Sequence, residues 1–191
     1  WLVGQGQAAV RQGNQVLVLD EASGKIKSSQ PAPQGSGWTF LEQRLLINPD
    51  GPILATPDRS IWRTKGRQVQ QDRTKASFGC SSRVLDLSGS DNEPLALTTG
   101  GLETAKSRWQ GPYDLCLDRL VFQGKRWLQL DQNLRVVGQW TLAGPVVHGA
   151  QNQSRLLCLL DNGRCLLYSA PKFLGRENGF EAPQLLLELR H

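Results

Sequence analysis

An arginine followed by apolar residues recurs along this chain at near-constant spacing, and no other feature of the sequence restricts its fold as strongly. Arg44-Leu45-Leu46-Ile47, Arg83-Val84-Leu85-Asp86, Arg119-Leu120-Val121-Phe122 and Arg155-Leu156-Leu157-Cys158 start 39, 36 and 36 residues apart. A shift of 111 residues also places Val16-Leu17-Val18-Leu19-Asp20 on Trp127-Leu128-Gln129-Leu130-Asp131 and Arg44-Leu45-Leu46 on Arg155-Leu156-Leu157. A repeating segment of this length is one supersecondary unit, which cannot bury its apolar face alone and has to stack on its neighbours.

The repeating unit reads as β-structure. Arg119 to Ser169 breaks into five or six short apolar runs separated by turn residues, with no helical period. Gly13-Asn14 and Ser23-Gly24 predict turns, and Asn48-Pro49-Asp50-Gly51-Pro52 is a strong turn signal. Gln30 to Gly37 reads as a surface linker, Lys65 to Lys75 as a loop with one ragged edge strand, and Gln184 to Arg190 as a buried final strand. A single helical turn is predicted within Gly101 to Gly111. The second strand of each unit is predicted near Ala8, Arg44, Arg83, Arg119 and Arg155. Unit boundaries follow near 1-36, 37-76, 77-111, 112-148 and 149-191, within a single all-β repeat domain.

About four short strands per unit of about 40 residues fit an all-β fold, a β-propeller or partial propeller of about five small blades. A β-sandwich or barrel is the alternative, because its strands have similar spacing. In its repeats the chain resembles the β-propeller repeat proteins, as a divergent WD-repeat-like sequence. It lacks the Gly-His and Trp-Asp signature, so no residue role of that family carries over. The resemblance implies a rigid scaffold that exposes variable loops.

A hydrophobic content of 39% with 20% charged residues over 191 residues suits a globular chain with a real core. No apolar run approaches the ~18 residues of a membrane span, and no basic-then-apolar leader opens the sequence. The chain starts at Trp1 and contains no Met, which fits either a cleaved leader or an excerpt of a longer protein; an intracellular setting is preferred over an exported one. Cys80, Cys116, Cys158 and Cys165 show no CxxC or Cys/His spacing, and His148 and His191 are distant from any cysteine pair. They are read as core thiols rather than bridges, with no metal site. Gly4-Gln5-Gly6 lacks the following helix of a phosphate cradle, and no cofactor is predicted.

The net charge of +5 is concentrated in one place. Between positions 59 and 83, seven basic residues face a single acid, Asp72, so this stretch carries +6. Arg59, Trp62, Arg63, Lys65, Arg67, Arg73 and Lys75 form the candidate interaction surface, weighed against a plain solvated loop. Arginine beside tryptophan is a favoured contact pair at protein interfaces; binding of nucleic acid through phosphate contacts and base stacking is the less favoured reading. Asp20, Asp86 and Asp131 occupy similar places in the repeats, as glycosidase carboxylates of a propeller would, but Asp20 and Asp131 sit at strand-to-turn junctions, where turn formation is the simpler explanation. His148 has neither a nucleophile nor an orienting acid nearby and reads as a strand-end residue. Trp38, Trp127 and Trp140 are assigned to the core, and Asn152-Gln153-Ser154 matches a glycosylation sequon by pattern. The resulting expectation is a non-enzymatic protein-protein interaction scaffold, a subunit or fragment of a larger complex whose partners are other protein subunits. A carbohydrate-binding or glycoside-processing propeller and a nucleic-acid binder are the alternatives.

Overall fold

A computed structural model of the chain describes residues 2–4, 6–90, 92–151, 154–169, 172–175, 179–181 and 183–189. Trp1, His191 and the Asn152-Gln153 part of the sequon lie outside the described residues. Among the described residues every regular element is a β-strand, and no helix is long and apolar enough to cross a membrane. The chain divides into two compact units, Trp1–Ala105 and Lys106–His191.

In the first unit, β1 (Leu2–Gly4), β2 (Gln7–Gln12), β3 (Gln15–Asp20) and β4 (Ile26–Pro31) pair in chain order as an antiparallel meander. β5 (Gly37–Leu41) and β6 (Arg44–Asn48) form a two-stranded hairpin. A second four-stranded meander contains β7 (Ile53–Ala55), β8 (Ile61–Lys65), β9 (Gln68–Gln71) and β10 (Ser77–Gly79). β11 (Val84–Ser90), β12 (Glu93–Thr98) and β13 (Gly101–Glu103) follow, again paired in order. The second unit opens with β14 (Arg108–Gln110) and continues with the meander of β15 (Leu115–Leu117), β16 (Leu120–Gln123), β17 (Arg126–Leu130) and β18 (Val136–Thr141). Its last sheet contains β19 (Val146–Gln151), β20 (Arg155–Leu160) and β21 (Cys165–Ser169). After a hairpin of β22 (Lys172–Gly175) and β23 (Gly179–Glu181), β24 (Leu185–Leu189) returns to pair with β21.

One local device recurs three times. The second and third strands of three sheets are joined by a two-residue turn, Gly13-Asn14, Gly66-Arg67 and Gly124-Lys125. Each glycine has a left-handed φ, of 60°, 61° and 55° respectively. Such turns match the right-handed twist of the flanking strands, and their first position strongly favours glycine. The second turn residue then accepts a backbone hydrogen bond from the residue just beyond the fourth strand: Ala32 N–H to Asn14 O, Cys80 N–H to Arg67 O, and Leu142 N–H to Lys125 O, each at 2.8 Å. Ala32, Cys80 and Leu142 are all buried, so these donors require a partner inside the protein.

The cores follow the strand alternation. Ala9, Val16, Val18, Ala32 and Leu45 pack together under Trp38, Phe40 and Ile47, which joins the first meander to the β5–β6 hairpin. The Arg11 guanidinium lies 4.9 Å from the Trp38 ring centre and donates to Ala32 O and Ser36 O, so the predicted surface linker is tied down. In the second unit the fully buried Trp127 is surrounded by Trp140 at 5.3 Å, Tyr168 at 5.7 Å and Phe122 at 5.9 Å between ring centres. Leu120, Leu142, Leu156, Cys158, Leu160 and Leu166 complete that core.

Several expectations from the sequence shift by one strand. Ala8 lies in a second strand, Arg155 begins one and Arg119 directly precedes one, but Arg44 begins β6 of the two-stranded hairpin and Arg83 precedes β11, the first strand of its sheet. The extra hairpin between the first two meanders displaces the middle of the repeat. The predicted helical turn is absent: Leu102 and Glu103 are buried in β13 against β12, and Arg108–Gln110 is a strand. The last strand forms as expected but is exposed, with Leu185 and Leu187 half open to solvent, because β24 is the outermost strand of its sheet. All four cysteines are thiols and none is in a disulfide; Cys80 and Cys158 are buried, and Cys116 and Cys165 are half-buried.

Two predictions arise from this architecture. Because nothing lies within 4 Å of a Cβ built on Gly124, a side chain there meets only the backbone penalty. Gly124→Val is expected to lower the unfolding free energy by about 1–2 kcal/mol, and Gly124→Asn by clearly less, as read from urea denaturation. Burial pushes the Cys116 and Cys158 thiols up to about 12, and the neighbouring Cys165 adds to the effect at Cys158. Above about pH 8.5 the unfolded chain therefore releases protons that the folded chain keeps, and stability falls as pH rises toward the folded values. The thermal midpoint of the Cys116→Ala/Cys158→Ala double variant should decline less steeply than that of wild type as pH is raised from this point.

Candidate interaction surface on the basic sheet

The basic stretch folds into most of the β7–β10 meander; the one strand expected between Lys65 and Lys75 forms as β9, but inside the sheet rather than at its edge. Trp62 and Thr64 on β8 and Val69 and Gln71 on β9 face the interior, while Arg63, Lys65, Gln68 and Gln70 alternate to the other face. Two of the four inward positions are polar, which hides the period of two in the sequence. Trp62 is 5% exposed and packs with Val69, Cys80, Val84, Leu87 and Ala96. Its assignment to the interaction surface is therefore corrected: strand alternation turns it away from its basic neighbours and into the core.

The cations separate into tied and exposed groups. The Arg63 Nε donates to both Asp72 oxygens, at 3.1 and 3.0 Å, and its Nη1 donates to Ile47 O at 3.1 Å. Arg63 thus joins β8 to the end of β9 and to β6, and its charge is offset. Arg59, with a φ of 67°, forms an ion pair with Glu42. Lys65, Arg67, Arg73 and Lys75 are exposed and form no ion pair among the described residues. The meander places them at two ends: Lys65 and Arg67 border the β8–β9 turn, whereas Arg73 and Lys75 lie in the β9–β10 connection with Arg59 nearby in the β7–β8 connection.

Between these ends lies an open groove of about 420 Å³, lined by Asn48, Asp50, Arg63, Lys65, Gln68 and Gln70 among others. Asn48 is buried and commits its Nδ2 to Pro52 O at 3.1 Å and Thr64 O at 2.9 Å. The exposed groups of the groove are Asp50, Lys65, Gln68, Gln70 and Asp72, the last of which is paired with Arg63. Sequence reasoning missed the two glutamines, whose signal was their alternation with the inward Val69 and Gln71.

The other candidate residues have structural work. Asp20 accepts from Ser23 N–H at 2.8 Å and meets Lys27 Nζ at 2.8 Å; the lysine, then the serine, holds its carboxyl well below the usual range. Asp131 accepts from Asn133 N–H at 2.8 Å and Arg135 N–H at 2.9 Å. Asp20 closes β3 and Asp131 follows β17, both third strands, but Asp86 lies in the first strand β11, so the three do not share one place in the repeat. His148 lies in β19 at a bulge opposite Leu159. Among the described residues no cluster of histidine, cysteine and carboxylate side chains could hold a metal ion.

No protein-family model and no curated protein matches this sequence. Solved structures do match. The β-propeller domain of Cps50 (Swd1) from Myceliophteria thermophila aligns with a TM-score of 0.53 at 8% identity, over 96% of this chain and 75% of that one. The computationally designed protein Ika8 aligns with a TM-score of 0.61 at 10% identity, over 100% of this chain and 86% of that one. At such identities the likeness is one of fold. Together with the succession of small antiparallel meanders, it makes this chain an all-β protein of the β-propeller fold, divergent and without the WD signature.

The separation of Trp62 from the exposed cations has a measurable consequence. Trp62→Ala should cost about 3–5 kcal/mol of unfolding free energy, as a buried aromatic does. Lys65→Ala and Arg73→Ala should stay within about 0.5 kcal/mol of wild type in the same denaturant titration.

Proposed function

We propose that this chain is a non-enzymatic interaction module that engages acidic segments of partner protein subunits through its basic sheet. The observation that carries this reading is the set of four exposed cations that form no ion pair among the described residues, Lys65 at the end of β8 and Arg67, Arg73 and Lys75 on the connections of a packed meander. The backbone of short, fixed connections loses little freedom on binding, and the charge of their cations guides encounter with an acidic partner. The propeller fold supports the scaffold reading, since its sheets hold many connecting loops in fixed positions. Burial of Trp62 removes the aromatic platform that the nucleic-acid reading needed.

The test is fluorescence anisotropy with two labelled probes, a peptide of alternating glutamate and threonine and a single-stranded oligonucleotide. The peptide should bind the wild-type protein, weaken with added salt, and lose at least about tenfold in affinity to the Lys65→Glu/Arg67→Glu/Arg73→Glu/Lys75→Glu variant. Equal peptide binding by both proteins, or tight binding of the oligonucleotide alone, would overturn the proposal.

A further inference from the structure

We infer that the outer edge of β10 is a strand-addition site for an extended acidic segment of a partner protein; the inference rests on the reading that the basic sheet faces such a partner. β10 is the terminal strand of its meander and pairs only with β9 within it. In an antiparallel pair, alternate residues turn both backbone polar groups toward the neighbour and the residues between turn theirs away. Ala76 O accepts from Gln71 N–H at 2.9 Å and Cys80 N–H donates to Arg67 O at 2.8 Å, so Ala76, Phe78 and Cys80 face β9. Ser77 and Gly79 consequently direct their N–H and C=O groups out of the sheet. Both residues are exposed, and those groups form no hydrogen bond among the described residues.

The edge is both firm and unobstructed. Phe78, half-buried, packs against the core that contains Trp62 and Val69, which holds the strand in place. Ser77 and Gly79 lie in register with Gln70 and Gln68, so the side chains beside an incoming strand are small or uncharged. An added strand at the usual ~4.8 Å spacing would extend the same rows of the sheet.

Charge decides the occupant. Lys75 and Arg73 precede the start of β10, and Arg67 is hydrogen-bonded just beyond its end, so both ends of the edge are basic. Cations beside an edge strand deter indiscriminate pairing. They deter a second copy in particular, because antiparallel edge-to-edge pairing would bring the Lys75 end of one copy against the Arg67 end of the other. An acidic strand meets the opposite condition: main-chain hydrogen bonds supply affinity, and the flanking cations select the charge.

The experiment uses the full chain and the glutamate/threonine peptide. Ser77→Pro removes an outward N–H without touching the ladder to β9, and should weaken peptide binding at least about tenfold while Ser77→Ala binds as wild type. A peptide N-methylated at every residue, which has no main-chain donor along either edge, should bind equally poorly to the unaltered protein, which keeps the test valid if the proline variant does not fold. The Ser77 and Gly79 amides should exchange more slowly with solvent when peptide is bound. Undiminished binding of the N-methylated peptide, or unchanged amide exchange, would overturn strand addition while leaving the charge-based reading intact. Unchanged binding by the fourfold glutamate variant would instead place the failure in that underlying reading.

Discussion

Three four-stranded sheets of this chain are closed by the same backbone hydrogen bond. In each of them the residue that leaves the fourth strand donates its N–H to the second residue of the turn between strands two and three. The turn fixes the register of the hairpin, and the bond fixes where the fourth strand ends and the chain departs. Ala32, Cys80 and Leu142 carry these donors and are buried, so a slipped fourth strand would leave a polar group without a partner in the interior. The link to the next sheet starts from the same residue. A short main-chain contact therefore fixes the point from which the chain leaves each of these three sheets, with little demand on side chains.

That economy explains how the basic stretch came to lie on a packed sheet. The β7–β10 meander needs Gly66 at its turn and Trp62 and Val69 toward the core, and it leaves the outward positions unconstrained. Cations are tolerated there because each is exposed or, like Arg63, partnered by Asp72. The meander also divides the charge: its turns carry the residues of one continuous sequence segment to both ends of the sheet, with Arg63 neutralised between them. A basic run in a sequence is thus one patch only if the chain does not turn within it, and here it turns twice.

Much of the fold was legible because it is carried by apolar alternation and turn chemistry. Gly13-Asn14 identified its hairpin, and Val16 to Asp20 and Trp127 to Asp131 were matched as equivalent third strands. The middle of the repeat was misplaced because β5–β6 adds a hairpin with the same arginine-led apolar look as a true second strand. At the candidate surface the charged residues were visible at once, but their pairing was not. Asp72 is nine positions from Arg63, and Glu42 belongs to a different hairpin from Arg59, so only the folded sheet brings each pair together. Trp62 was misassigned since one tryptophan among cations looks the same in sequence whether it faces inward or outward.

The connection from the second meander to β11 shows how the repeat becomes hard to see. Cys80 N–H closes the meander behind it by bonding to Arg67 O, and the very next N–H, of Ser81, donates forward to the buried carboxylate of Glu103 on β13. Glu103 also accepts from the Ser81 and Thr98 hydroxyls. A carboxylate with this many donors is stable in the interior, where an unpaired one would not be. Two consecutive donors in one linker are thus satisfied by different chemistry, a main-chain carbonyl behind and an acidic side chain ahead. Bonds of this kind hold the geometry without requiring a particular residue at the donor, so the fold can be shared at 8% and 10% identity, as it is with the two solved structures this chain matches.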